Sequence, residues 1–124
     1  MKKVKSIFID SENQEVSEVS IDMTNLDELC SLLKCNIVEI AWHSSDNKNL
    51  LFVDDEGLLK NTDKSQVFFS FKNAYSPIIA GNGVIVGQDV DDLEEISTTM
   101  SVEEIKNMVK FLKEEDIHNM FLRK

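Results

Sequence analysis

The scarce chemical groups of this chain are two thiols, two imidazoles and one guanidinium: Cys30, Cys35, His43, His118 and Arg123. A thiol beside an imidazole could make a nucleophile, since such partners meet in space rather than in sequence. Cys30, however, sits beside Leu26, Leu29 and Leu33 in an amphipathic stretch, the usual place of an inert core thiol. His43 falls on the polar side of an alternating segment and His118 in the expected terminal helix. Two cysteines with two distant histidines lack zinc-site spacing, and they make no disulfide framework. Asp89, Asp91, Asp92, Glu94 and Glu95 could attract calcium, but the run lacks the glycine and terminal glutamate that an EF-hand loop sets at fixed positions. It reads as a solvated acidic loop. No serine lies in a nucleophile elbow and no phosphate loop with its lysine is present. These residues point to binding, not to an enzyme, with no cofactor and no metal.

Two segments carry groups suited to binding. In Gly81-Asn82-Gly83 the glycines let backbone amides approach a ligand, and Asn82 can both donate and accept. The same tripeptide also suits a plain strand connection that needs positive φ. Phe68, Phe69, Phe71 and Tyr75 follow one another without strong periodicity, so not all can point inward. An exposed ring there could stack on a base; buried, these rings would fill the core or a subunit contact. Trp42 alternates with Val38 and Ile40 and reads as core.

The elements that must position these groups follow from periodicity. Lys2–Asp10 and Val16–Met23 alternate as half-buried strands joined by the polar turn Asp10–Gln14, a hairpin. Thr24 can cap a helix whose Asp27 and Glu28 suit its positive end. Asn36–His43 alternates Val38, Ile40 and Trp42 against Glu39, Ala41 and His43. Leu50–Val53 is a short apolar run suited to a central strand, and Val84–Gly87, rich in β-branched residues, reads as a strand. Val67–Phe71 fits a strand or a single helical turn. Ser101 with Glu104 forms a capping box for a final helix, with a stripe of Ile105, Met108, Val109 and Leu112. The expected fold is α+β: an antiparallel sheet with one inserted helix and a C-terminal helical segment, residues 1–124 forming a single domain.

Composition agrees. The 124 residues are 42% hydrophobic and 29% charged, the proportions of an ordinary globular domain, and the formal net charge is −10. That charge argues against contact with nucleic acid and against anionic membranes, while a local pocket could still take a small anion. No targeting run or membrane span is visible, which implies a cytoplasmic protein. Ile117, Met120, Phe121 and Leu122 place many apolar groups near the end of the chain, an arrangement suited to a homodimer or higher homo-oligomer.

Val53-Asp54-Asp55-Glu56-Gly57-Leu58-Leu59-Lys60, followed by Ile79-Ala80-Gly81-Asn82-Gly83-Val84-Ile85-Val86-Gly87, resembles small phage and prophage proteins, most of all the anti-Thoeris sponges. The resemblance spans roughly residues 2–115 and is sharpest in the central half. It implies a host-cytosol protein that sequesters a cyclic ADP-ribose isomer without cleaving it, antagonising a bacterial TIR-based defence. It implies a pocket at a subunit interface. Phe71 and Asn82 match the family's aromatic ring and asparagine, with Gly81 and Gly83 beside them. Lys72, Lys106 and Arg123 are the candidate cations for a pyrophosphate. Two rival readings stand beside it: an acidic inhibitor that binds a host protein through its charged surface, with DNA mimicry as one form, and a hydrolase built on Cys30 or a histidine. The acidic reading uses the charge directly, though Lys2, Lys3 and Lys5 crowd one end and Lys106, Lys110 and Lys113 line the expected final helix.

Overall fold

The computed structural model describes residues 3–23, 27–34, 38–54, 67–75, 78–91 and 94–112. The first two strands, β1 (Lys3–Asp10) and β2 (Glu15–Asp22), form the expected hairpin in unbroken antiparallel register from Lys3↔Asp22 to Asp10↔Glu15. Helix α1 (Asp27–Leu33) follows, then β3 (Val38–His43) and β4 (Asn49–Asp54). The remainder comprises β5 (Phe68–Phe71), β6 (Ile79–Ala80), β7 (Gly83–Gln88), β8 (Glu95–Ile96), α2 (Val102–Lys106) and β9 (Val109–Leu112).

Two antiparallel sheets result. The larger has the order β2-β1-β7-β4-β3, with β8 added beside β7; the smaller is β6-β5-β9. The apolar runs become intelligible from this arrangement. On β4, Leu51 and Val53 face a core shared with Phe69, Phe71 and Ile79 of the small sheet and Ile105 of α2. Leu50 and Phe52, alternating with them, face a second core closed by Leu29 and Leu33 of α1. β7 is divided in the same way, with Ile85 in the first core and Val84 and Val86 in the second. A strand covered on both faces has no solvent side, so its sequence shows no polar alternation. Each fully buried aliphatic side chain of this kind contributes about 1.5–3 kcal/mol.

The strand β8 occupies a gap that β1 leaves beside β7. β1 pairs with β7 only over Ile7, Phe8 and Ile9, and nearer its start Lys5 bonds instead to the segment after β8. The Lys5 amide donates to Ser97 Oγ at 2.8 Å, and the Thr98 amide donates to the Lys5 carbonyl at 2.9 Å. Gly87 makes this possible: a Cβ there would lie 2.4 Å from the Ser97 carbonyl oxygen. Buried Asn49 fixes the continuation, accepting from the Thr98 hydroxyl and donating to Thr99 Oγ1 at 3.2 Å.

Two expectations are corrected. The Ser101–Glu104 capping box forms as read, but its helix ends at Lys106, and Val109–Leu112 is a strand rather than the continuation of a helical stripe. Val109 and Phe111 suit either periodicity; pairing with β5, Phe71↔Val109 through Phe68↔Leu112, satisfies an edge that a helix would have left open. The second correction lies in β3. Its register shifts between Ile40 and Trp42, so that Ile40 opposes Phe52 and Trp42 opposes Leu51. This bulge breaks the alternation: Ala41 and Trp42 are both buried in the first core while Ile40 is exposed. The strand alternative for Phe68–Phe71 is the one realised. Thr24, Cys35, the Asp55–Lys60 run, His118, Arg123 and the apolar residues from Ile117 to Leu122 lie outside the described residues.

Candidate functional site

The bulge also builds a cleft. His43 pairs with Leu50 and Ile40 with Phe52, so these residues share the face of the large sheet on which Leu50 and Phe52 lie. Three residues apart, Ile40 and His43 would point to opposite faces of a regular strand; the extra residue brings them to the same one. Gln88, on the same face of β7 as Val84 and Val86, extends the floor. The β3–β4 turn supplies Asn47, held at φ 61° by the Asn47 amide to Ser44 carbonyl bond of 2.9 Å. Val90 also lines the cleft. Tyr75 arrives from the small sheet, where its amide donates to the Ala41 carbonyl at 2.9 Å, so the bulge residue anchors it at the edge of β3.

These side chains line a cleft of about 370 Å³. Tyr75 is 65% exposed, Val90 44% and Ile40 42%, and these are the exposed large apolar residues among those described. All three converge on this one cleft. The Tyr75 and His43 rings meet edge to face, with centroids 5.8 Å apart and planes at 63°. His43 Nδ1 lies 3.0 Å from the Ser44 carbonyl oxygen. No charged side chain lines the cleft among the described residues. Beside it, Asp46 accepts from the Ser44 hydroxyl and from the Lys48 amide, and these bonds hold its carboxyl below the ordinary carboxylate range.

The residues expected to form a ligand site are elsewhere and are dispersed. Phe71 is 4% exposed and packs edge to face on Trp42 with centroids 5.0 Å apart, a core ring without a free face for stacking. Asn82 is 5% exposed, and both ends of its amide are committed inside the fold. Its Oδ1 accepts from the Ser11 amide at 3.0 Å and its Nδ2 donates to the Leu32 carbonyl at 3.2 Å. Gly81 adopts φ 84°, and its amide bonds to the Val67 carbonyl at 2.8 Å. A Cβ on Gly83 would meet Leu51 and Phe69, each at 2.9 Å. Both glycines thus meet demands of the turn and the core. Phe71 and Gly81 also sit at opposite ends of β5, about 13 Å apart along the strand. Lys72 and Lys106 are exposed, the latter beside a separate hollow of about 530 Å³ whose lining includes Gln14, Glu15 and Phe111.

The expectation of one outward ring in the Phe68–Tyr75 stretch is met by Tyr75, with Phe69 and Phe71 buried and Phe68 half-buried. Ile40, Asn47, Gln88 and Val90 were not singled out from the sequence. Nothing in their types marks them, because the bulge that gathers them is hidden in an ordinary alternating pattern.

Comparison with known proteins supplies a family. Residues 3–110 match the family model described as a domain of unknown function, DUF3846. The chain belongs to the DUF3846 family. No curated protein and no solved structure matches it. No described helix is long and apolar enough to cross a membrane.

Proposed function

We propose that this DUF3846 protein is a binding domain whose ligand is a planar heteroaromatic ring seated in the Tyr75–His43 cleft and released unaltered. The observation that carries this reading is the convergence of Ile40, Tyr75 and Val90 on one cleft whose described lining bears no charged side chain and whose polar groups are an imidazole, two side-chain amides and the Tyr75 hydroxyl. Apolar walls with a few hydrogen-bonding groups are the usual make-up of small-molecule sites. An exposed tyrosine offers a face on which a base can stack. The adenine part of a cyclic ADP-ribose-type nucleotide, which the sponge resemblance implies, is one such ring. On this reading its charged pyrophosphate stays at the mouth, where none of the described lining residues is a lysine or arginine. Sequestration of that nucleotide against a TIR-based defence is the special case of the proposal.

The acidic-inhibitor reading has less support. Lysines of β1 pair with carboxylates of two neighbouring elements, Lys3 with Glu28 of α1 at 3.4 Å and Lys5 with Glu18 of β2 at 4.0 Å. That surface is therefore not a run of uncompensated negative charge of the kind DNA mimicry needs.

Calorimetric titration with cyclic ADP-ribose isomers and with adenosine, followed by denaturation and recovery of the ligand, tests the proposal. The expected result is binding with the ligand intact, weakened about tenfold to a hundredfold by Tyr75→Ala, the range for loss of one base–aromatic stack. Binding that ignores Tyr75→Ala would refute the assigned site. Recovery of a cleaved product would make the protein an enzyme.

A further inference from the structure

We infer that His43 selects the ligand, acting as a fixed hydrogen-bond acceptor that requires an N–H donor on the bound ring; the inference rests on the Tyr75 cleft being the site. The Ser44 carbonyl oxygen, 3.0 Å from His43 Nδ1, can only accept. Nδ1 therefore carries the proton of that bond, and in the neutral imidazole Nε2 is left with the lone pair. The edge-to-face contact with Tyr75, at 63° and 5.8 Å, holds the ring plane. A flip of the imidazole would turn carbon toward the Ser44 carbonyl and give up the bond.

The other polar groups of the lining lack this commitment. Asn47 and Gln88 end in amides and Tyr75 in a hydroxyl, each able to present either a donor or an acceptor by rotation, so they accommodate a ligand edge without choosing among ligands. Among the described residues the lining contains no carboxylate to compete for an N–H donor and no cation to reward an anion. The preferred class is an uncharged heteroaromatic ring with an exocyclic amino group or ring N–H, laid between the apolar side chains of Ile40, Tyr75 and Val90. Rings that carry acceptors alone would set their lone pairs against that of Nε2.

The test uses the whole chain in mildly alkaline buffer, with 9-methyladenine and its N6,N6-dimethyl derivative as probes, the first carrying its only N–H groups on the exocyclic amine. Long-range ¹⁵N–¹H spectra read the His43 tautomer directly. The expected outcome is a proton on Nδ1, binding of 9-methyladenine that perturbs His43 and Tyr75, and about fivefold weaker binding of the dimethyl compound, a typical net value for one hydrogen bond. His43→Phe keeps an aromatic ring against Tyr75 and should remove the preference between the two probes. A proton on Nε2 overturns the inference whatever binds. Equal binding of both probes to the parent protein overturns it while leaving the cleft reading intact. Failure of both probes to perturb Tyr75 overturns the cleft reading and the inference with it.

Discussion

Replacing Asn82 by alanine separates a structural role from the ligand role that its sequence position invites. The side chain joins the β1–β2 turn to the end of α1, through the Ser11 amide at 3.0 Å and the Leu32 carbonyl at 3.2 Å. Ser11 is buried, so alanine would leave its amide without a partner, at a cost of about 1–3 kcal/mol. Loss of the second bond adds about 0.5–1.5 kcal/mol. Together these give roughly 2–4 kcal/mol, a large share of the ~5–15 kcal/mol that holds a domain folded. For a chain of this size about 4 °C of Tm accompanies each kcal/mol, so the melting point should fall by roughly 8–16 °C. Thermal and urea unfolding measure the loss, and hydrogen exchange locates it: the Ser11 amide should be protected in the parent and exchange fast in Asn82→Ala. A variant that melts like the parent, with Ser11 still protected, would refute the latch and return Asn82 to the list of groups free for a ligand.

Two further perturbations probe how the sheet and the cleft are held. Gly87→Ala places a methyl group 2.4 Å from the Ser97 carbonyl oxygen and 2.9 Å from that of Ile96, both backbone atoms. It should cost about 1–3 kcal/mol as overpacking and release the Thr98 amide, read by urea midpoint and amide exchange; an unchanged midpoint would show that β8 does not need the close approach. The Asp46 carboxyl is depressed, chiefly by the Ser44 hydroxyl and then by the Lys48 amide. Its folded value lies below the unfolded one, so its support of the β3–β4 turn is present above about pH 4 and lost as pH falls through the depressed value. Ser44→Ala should move the Asp46 midpoint back up toward the ordinary carboxylate value in an NMR titration, and an unmoved midpoint would deny the hydroxyl its role.

What the sequence made legible follows from whether neighbours or distant segments decide the outcome. The β1–β2 hairpin and the Ser101–Glu104 capping box depend on residues close in the chain, and both form as read. The end of α2 does not: Val109–Leu112 becomes a strand because β5, some forty residues earlier, offers an edge. Gly81-Asn82-Gly83 carried a choice between ligand cradle and turn. The geometry accounts for all three residues by internal needs: a positive φ, two committed amide atoms, and a close approach to Leu51 and Phe69. Sequence types alone could not decide this, since the same groups serve either purpose.

The core ring and the exposed ring of the Phe68–Tyr75 stretch are nevertheless connected. The β3 bulge turns Trp42 into the first core, where Phe71 meets it edge to face. Phe71 is the last residue of β5, and the chain beyond it is fastened by the Lys72 amide to the Met108 carbonyl at 2.9 Å. From there the chain reaches the bulge itself, where the Tyr75 amide bonds to Ala41. One extra residue in β3 therefore sets Ile40 and His43 on a common face, supplies the ring that Phe71 packs against, and presents the carbonyl that anchors Tyr75. A cleft assembled this way depends on the core behind it, so Phe71 bears on the site through position rather than through contact with a ligand.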